Sequence, residues 1–188
     1  MRYMKIRKEK MQSFKMALPN IITFMNLFFG ISAILVVSGG SKGLSLACVF
    51  ILFSATLDRL DGKVARKLKA ESELGEQLDS LVDLVSFGVA PAFITWNMIF
   101  SSTGIHILGY TSVIIYIFAG AYRLAKFNIS TCRKVYVGLP ITCAGGLLIL
   151  YNIYLIFTNS IAGSGIKTSV IMIVLAYLMV CKVEVKKM

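Results

Sequence analysis

Charged residues are scarce in this chain, and proline and histidine are scarcer still. Only 15% of the 188 residues are charged and 57% are hydrophobic, while there are three prolines and a single histidine. The mean hydropathy of +0.78 implies far more apolar surface than a soluble domain of this length needs to bury. The scarcity of charge therefore excludes an ordinary soluble domain and predicts an integral membrane protein.

Histidine and cysteine are too few, and too far apart, for several common kinds of catalytic site. His106 lies in a predicted outer loop, where a solvated or interfacial side chain is expected. The four cysteines show no metal-ligand spacing and are expected to be reduced; they are Cys48, Cys132, Cys143 and Cys181. The sequence thus argues against a zinc site, a disulfide framework and Ser-His or Cys-His catalysis on the inner face.

Long apolar runs fill most of the chain. A spanning helix needs about 20 mostly apolar residues, and six runs approach or exceed that length, at roughly 18–39, 43–60, 78–100, 107–126, 135–157 and 166–182. The first run is followed at once by further runs, so we expect it to stay in the membrane rather than to be a cleaved signal. We predict an all-α bundle of six transmembrane helices over 18–183, with a basic segment at 1–17 and a basic tail at 184–188.

Basic residues concentrate on alternate loops of this predicted bundle. Of the 20 lysines and arginines, only Lys42 and Lys167 fall on one side, and the other 18 fall on the opposite side. This asymmetry is the positive-inside pattern, and it predicts a cell-membrane protein with both termini in the cytoplasm. Orientation and attraction to anionic headgroups account for the net charge of +11, so nucleic acid is not expected as a partner.

All four aspartates of the chain lie in one segment between predicted membrane helices. Helical periodicity puts Asp58 and Asp61 on one face of the second helix, provided that this helix continues to about residue 69. After a turn around Gly75, a third helix carries Asp79 and Asp83 on one face. Helices joined by a short loop are normally antiparallel neighbours, so the two pairs are expected to converge near the cytoplasmic boundary.

Four converging carboxylates predict a metal site, because they are costly to desolvate unless cations neutralise them. Ligands that are all oxygen favour the hard cations Mg²⁺ or Mn²⁺, and there is room for two ions. Two such ions suit a displacement at phosphorus, since they stabilise both the attacking and the leaving oxygen. Arg66 is a suitable phosphate donor. Gly62 and Ala65 leave space on the aspartate face for a ligand or for close packing of another helix.

The segment resembles the signature of the CDP-alcohol phosphatidyltransferase family. The matching positions are Asp58, Asp61, Gly62, Ala65, Arg66, Gly75, Asp79 and Asp83. The resemblance implies six transmembrane helices, a homodimer, and transfer of a phosphatidyl group from a CDP-linked lipid to an alcohol with release of CMP. It implies that Asp58, Asp61 and Asp79 bind the metals and that Asp83 completes the site and acts as the base. The remaining four matching positions would hold the CDP group.

Three further stretches resemble the phosphatidylserine synthases within that family. The first is LPNIITFMN, and the resemblance implies that its polar residues Asn20, Thr23 and Asn26 contact the nucleotide. A polar helix start with Asn20 as its cap is the alternative interpretation. The implied substrates are CDP-diacylglycerol and L-serine.

The other two stretches would provide the acceptor site. LDSLVDLVSFGVAPA places Ser86 about one helical turn beyond Asp83. YRLAKFNIS, followed by VGLP, contains Arg123, Lys126 and Asn128. Lys126 stands where arginine is common in the subgroup and lacks the planar fork, so Arg123 is the better candidate partner for a carboxylate or phosphate. Topology-setting inner cations are the alternative interpretation of both basic residues.

Other functions remain open on the residues alone. A sibling enzyme using glycerol 3-phosphate or inositol phosphate would need several converging basic residues, which this inner surface could supply. Membrane prenyltransferases also bind metal and diphosphate through helical aspartates, but they need a larger bundle and a different spacing. A divalent-cation transporter would favour broken helices and internal repeats near the bilayer midplane, whereas these aspartates gather at the predicted inner edge.

Overall fold

The computed structural model describes residues 2–40, 43–68, 72–101, 104–129, 136–181 and 184–185. Within these ranges, the side chains of residues 18–181 are described, except those of 136 and 137. Lys42 and Cys132 lie outside the described residues, as do the side chains of the basic segment 1–17 and of the tail 184–188. The described part of the chain is almost entirely helical, which confirms the all-α prediction.

Six helices follow one another along the described chain. They are α1 (Arg2–Ser38), α2 (Leu44–Leu68), α3 (Glu73–Phe100), α4 (His106–Ile129), α5 (Ile141–Phe157) and α6 (Gly165–Val180). Helix α3 is continuous but changes its winding, with π-helical turns at Leu84–Val89 and Trp96–Phe100. Two short antiparallel strands, β1 (Tyr136–Val137) and β2 (Glu184–Val185), pair the segment before α5 with the segment after α6.

Length and composition place five of the six helices in two groups, whereas α2, which carries Asp58, Arg59 and Asp61 in its second half, belongs to neither. Leu18–Ser38 of α1, all of α3 and all of α4 are long and apolar enough to cross a membrane. Helices α5 and α6 are apolar but shorter, with 17 and 16 residues. Many large apolar side chains on α1, α4 and α6 are exposed, among them Phe28, Phe118 and Tyr177. The described helices thus have the character of a membrane protein.

One sequence prediction and one alternative interpretation about helix starts are wrong. Gly75 does not lie in a turn before α3, since α3 begins at Glu73 and Gly75 belongs to its first turn. The cause is Ser72, whose hydroxyl caps the helix by accepting a 3.1 Å hydrogen bond from the Gly75 amide. Asn20 is not a helix cap, because α1 begins at Arg2 and continues through Pro19.

Two further boundaries differ from the prediction. His106 is the first residue of α4 rather than part of a loop. Helix α5 begins at Ile141, later than the predicted run that starts at 135, because the preceding residues are incompatible with a helix. Gly138 has a φ of 75° and Pro140 directly precedes the helix.

Polar contacts and a close backbone approach join α1 to α2 and α3. Asn26 of α1 is fully buried, and its backbone oxygen accepts hydrogen bonds from Ser54 at 3.3 Å and from Ser86 at 3.4 Å. A Cβ atom added at Gly30 would lie only 2.5 Å from the Ser86 hydroxyl oxygen, so a glycine is needed there. These contacts fix α1, α2 and α3 relative to one another, next to the helix ends that carry the aspartates.

Candidate active site

Three aspartates meet where α2 and α3 face each other. Asp58, Asp61 and Asp79 each offer a carboxylate oxygen, and these three oxygens lie within 4.8 Å of one another. Asp61 is buried and the other two are half-buried. The convergence of the two helices, predicted from the spacing of the aspartates, is observed. Such a group of carboxylates can hold a metal ion.

Asp83 lies one turn beyond Asp79 on α3 and is not one of the three clustered aspartates. Its carboxyl group is close enough to interact electrostatically with Asp58, Asp79 and Asp61. One oxygen of Asp79 and one of Asp83 are nevertheless buried without a hydrogen-bond partner among the described residues. Buried carboxylate oxygens without donors are costly, and a divalent cation would offset that cost. The residues present therefore fit a hard cation with oxygen ligands.

Helix α1 supports the cluster through Thr23. The buried Thr23 hydroxyl oxygen lies 3.1 Å from Asp61 Oδ2 and 3.1 Å from the Pro19 carbonyl oxygen, so it can donate to either. A hydroxyl that donates to a carboxylate holds that carboxylate in one orientation. Three helices thus determine the geometry of the acidic cluster.

A cavity opens beside this cluster between α1, α2 and the start of α3. Most residues that the family resemblance implies for CDP line it, namely Asn20, Thr23, Gly62, Ala65, Arg66 and Gly75. Asp61 and Asp79 line it as well, so the acidic cluster forms part of its wall. The cavity therefore combines carboxylates that can hold a cation with an arginine that can bind phosphate.

Close approaches shape this cavity. A Cβ atom added at Gly62 would lie 3.8 Å and 3.9 Å from the two terminal nitrogens of the Arg66 guanidinium, with no closer neighbour. A Cβ atom added at Gly75 would lie 3.3 Å from Asn20 Oδ1, a tight contact between α3 and α1. Gly62 thus leaves open space in the cavity, whereas Gly75 allows two helices to approach.

Asn26 is the one implied CDP residue that does not line the cavity. It lies deeper in the α1, α2 and α3 contact, where its side-chain oxygen accepts a hydrogen bond from Ser54. Its amide nitrogen is buried without a partner among the described residues. The structure gives Asn26 a role in helix packing.

Of the residues predicted for the acceptor, Arg123 comes to the acidic cluster. Its guanidinium on α4 interacts electrostatically with the Asp83 carboxylate. Its Nε atom is buried and has no hydrogen-bond partner among the described residues. A half-buried guanidinium with a free donor is suited to binding an anionic group of a ligand.

The other three acceptor candidates have different contacts. The Lys126 ammonium lies 5.9 Å from the centre of the Tyr122 ring. Asn128 connects the end of α4 to α3, since its side chain accepts a bond from Ser80 and donates one to Gln77, both at 3.1 Å. Ser86 is buried and donates to α1, as described above.

Comparison with known proteins assigns the chain to a family. Residues 16–185 match the CDP-alcohol phosphatidyltransferase family. The chain belongs to this family. The match includes the cluster of aspartates and the cavity beside it, and it confirms the resemblance found in the sequence.

Several relatives share this family assignment. A Methanocaldococcus jannaschii protein named CDP-diacylglycerol–serine O-phosphatidyltransferase is 40% identical over 148 residues, covering 77% of this chain and 65% of that protein. A Helicobacter pylori J99 protein of the same name is 38% identical over 135 residues, covering 70% and 55%. The archaetidylserine synthase of Methanothermobacter thermautotrophicus is 32% identical over 179 residues, covering 94% and 72%. The chain thus spans only 55% of the H. pylori relative and 65% of the M. jannaschii relative.

Some residues of this candidate site were missed from the sequence. Pro19, Ser72 and Glu76 also line the cavity. Ser72 carried a recognisable signal, because a serine directly before an acidic first helical turn is a typical cap. Pro19 and Glu76 had no comparable signal, since their positions depend on how α1 packs against α3.

Proposed function

We propose that this chain transfers the phosphatidyl group of CDP-diacylglycerol to the hydroxyl of L-serine and releases CMP. The observation that carries the proposal is the meeting of Asp58, Asp61 and Asp79 within 4.8 Å, where Asp61 and Asp79 line a cavity that Arg66 also lines. Carboxylates for a metal beside a phosphate-binding arginine suit a diphosphate substrate. The names of the relatives support CDP-diacylglycerol and serine as the substrates.

The proposed site holds two divalent cations, Mg²⁺ or Mn²⁺, through Asp58, Asp61, Asp79 and Asp83. The buried, unpartnered oxygens of Asp79 and Asp83 support this assignment. When bound, the cations supply positive charge that neutralises the diphosphate and stabilises the attacking and leaving oxygens. Thr23 keeps Asp61 oriented for this task through its hydroxyl.

The CDP group is proposed to occupy the cavity between α1, α2 and α3. Arg66 binds the diphosphate, and Gly62 lets that group approach the helix because a side chain would fill the space. Ala65, Gly75, Asn20 and Thr23 line the same cavity and would contact the nucleotide. Asn26 does not line the cavity, so it would affect nucleotide binding only indirectly, through the packing of α1.

Asp83 is proposed to accept the proton of the serine hydroxyl. The hydroxyl oxygen attacks the phosphorus, the bond from phosphorus to the CMP oxygen breaks, and CMP leaves in one displacement without a phosphoryl-enzyme. Arg123, which interacts with Asp83, is suited to the serine carboxylate through its free Nε donor. Ser86, Lys126 and Asn128 have contacts elsewhere and would support this acceptor site from its periphery.

The proposed arrangement in the membrane has six spans over residues 18–183, with the site facing the cytoplasm of the cell membrane. The concentration of basic residues on alternate loops supports this orientation. At about 1.5 Å per residue, α5 and α6 are roughly 25 Å long, close to the roughly 30 Å hydrocarbon core. A homodimer is expected from the family resemblance, and the mass of the purified protein in detergent tests it.

CMP release by the purified protein tests the proposed reaction. The chain is supplied with CDP-diacylglycerol in micelles and Mn²⁺, and L-serine, glycerol 3-phosphate and inositol phosphate are compared as acceptors. We expect release with serine alone, abolished by a chelator and restored by Mn²⁺. Release with a phosphorylated acceptor instead would keep the aspartate chemistry and refute the serine assignment. Absence of release with every acceptor, together with Mn²⁺ flux into vesicles, would favour a transporter.

A further inference from the structure

The helical winding changes directly after Asp83. Residues Leu84–Val89 form a π-helical turn, and the Ala90 amide that follows donates to the Val85 carbonyl five residues back. A π-helical turn carries one residue more than an α-helical turn, so it rotates the side chains before it relative to those after it. The orientation of Asp83 relative to the rest of α3 therefore depends on this turn.

The Phe87 carbonyl within the turn cannot obtain its usual α-helical donor. That donor would be the amide of the residue four positions later, which is Pro91 and has no N–H. The hydroxyl of Tyr116 on α4 donates a 3.0 Å hydrogen bond to the Phe87 carbonyl instead. Tyr116 and Phe87 are both fully buried, so no water replaces this donor at low cost. A side chain from another helix thus completes the backbone bonding of the turn.

Helix α4 holds α3 at two points on the same face. Tyr116 and Arg123 are seven residues apart, which is close to two helical turns. Tyr116 bonds to Phe87, and Arg123 interacts with Asp83, one turn earlier on α3. Between these points lies Gly120, where an added Cβ atom would approach Leu84 at 4.0 Å. The face of α4 that carries Arg123, which interacts electrostatically with the proposed base, therefore also holds the turn that follows this base.

We propose that Tyr116 is a positioning residue for Asp83. Its hydroxyl holds the π-helical turn and so sets the orientation of the Asp83 carboxyl relative to Asp58 and Arg123. The inference rests on the proposed function, because it assigns Asp83 to proton transfer. Tyr116 itself does not line the cavity, and Asp58, Asp61 and Asp79 all precede the turn. Loss of the hydroxyl is therefore expected to slow the reaction without weakening the binding of CDP-diacylglycerol.

The substitution Tyr116→Phe tests this role, because it removes the hydroxyl and keeps the ring in the core. We expect kcat to fall about tenfold, equivalent to about 1.4 kcal/mol of activation free energy. The KM for CDP-diacylglycerol should stay within about twofold, since changes below about 0.5 kcal/mol are usual for sites without direct contact. Hydrogen exchange at residues 84–89, measured without substrate, should become faster.

Tyr151→Phe is the matched control. Its hydroxyl lies 3.4 Å from the Thr168 hydroxyl between α5 and α6, in a contact that does not involve the turn. This variant should keep the wild-type kcat and the wild-type hydrogen exchange at 84–89. An equal loss of kcat in both variants would contradict the inference, because it would indicate a general effect on the bundle.

Three other outcomes would overturn the positioning role. These are an unchanged kcat in Tyr116→Phe, a loss of CDP-lipid binding in step with kcat, and a variant that no longer folds. Wild-type protein that is active only with another acceptor would refute the serine assignment alone, and kcat would then be compared with that acceptor. Wild-type protein that releases no CMP with any acceptor would refute both proposals.

Discussion

The Thr23 hydroxyl lies 3.1 Å from the Asp61 carboxylate and connects α1 to the acidic cluster on α2 and α3. Asp61 is the most buried of the three clustered aspartates, with 5% of its surface exposed. A buried carboxylate gains much from a fixed donor, because few water molecules can reach it. Residues outside the cluster therefore determine how it binds a cation.

Replacement of Thr23 by valine should weaken metal binding. The change keeps the shape of the side chain and removes the donor to Asp61, and outer partners of metal ligands typically contribute tenfold or more. We expect the Mn²⁺ concentration for half-maximal CMP release to rise about tenfold. Thr111→Val is the control, because the exposed Thr111 hydroxyl bonds only to carbonyls of its own helix. An unchanged Mn²⁺ requirement in Thr23→Val would contradict the role of the Thr23 hydroxyl in orienting Asp61.

Asp79→Asn should change stability in opposite directions with and without metal. In a chelator, the substitution removes one of three mutually repelling carboxylates, so the free energy of unfolding should rise by about 1 kcal/mol or more. Mn²⁺ at about 100 times its dissociation constant should add about 2.7 kcal/mol to the wild type. It should add much less to the variant, whose activity should fall by orders of magnitude.

Thermal unfolding in detergent, with EDTA and then with Mn²⁺, measures this pair of effects. Glu73→Gln is the control, since Glu73 is an exposed acidic residue of the same helix outside the cluster. It should keep the full response to Mn²⁺. An Asp79→Asn variant that is stabilised by Mn²⁺ as strongly as the wild type would contradict the metal assignment.

The acidic cluster could be predicted from the sequence because it depends on local geometry. Helical periodicity sets which face carries Asp58 and Asp61, and a short loop forces α2 and α3 to be neighbours. The electrostatic interaction of Asp83 with Asp58 follows from the same rule. The position of Gly75 within α3 was missed because the Ser72 cap outweighed the tendency of glycine to lie in turns.

Contacts between distant helices could not be predicted in the same way. The absence of an N–H at Pro91 indicates that the Phe87 carbonyl needs another donor, but nothing local identifies Tyr116, which lies 29 residues away. The planar guanidinium makes Arg123 a better candidate than Lys126, but the two residues are one turn apart on α4 and the sequence does not show which of them faces α3. Only the packing of α4 against α3 brings one of them to Asp83.

Because Arg123 interacts with Asp83 and Lys126 lies over Tyr122, we predict that their substitution has unequal effects on substrate binding. Arg123→Gln should raise the KM for serine about tenfold or more, because it removes a charged donor from a half-buried site. The KM for CDP-diacylglycerol should change little. Lys126→Gln should change either KM by no more than about twofold, since Lys126 lies over Tyr122 and not at the cluster. Steady-state CMP release with varied serine measures both, and a larger effect of Lys126→Gln would refute the acceptor assignment.

Gly62→Ala should weaken nucleotide binding without lowering the stability of the protein. Gly62 lies inside α2, and an added Cβ atom would meet nothing closer than the Arg66 guanidinium at 3.8 Å. Alanine favours a helix over glycine by up to about 1 kcal/mol, so the variant should be at least as stable as the wild type. If the CDP diphosphate approaches Gly62, the added methyl group occupies part of its space. The KM for CDP-diacylglycerol should then rise about tenfold, since one misplaced group in a tight site costs on the order of 1.4 kcal/mol.

Gly146→Ala provides the comparison that makes this result decisive. Gly146 lies inside α5, and an added Cβ atom there would have no neighbour within 4 Å. The helix should gain similar stability, and the KM for CDP-diacylglycerol should not change. A rise in KM for Gly62→Ala alone would assign the open space beside Arg66 to the nucleotide. Equal kinetics in the two variants would mean that Gly62 serves only the helix, and that CDP binds elsewhere along the cavity.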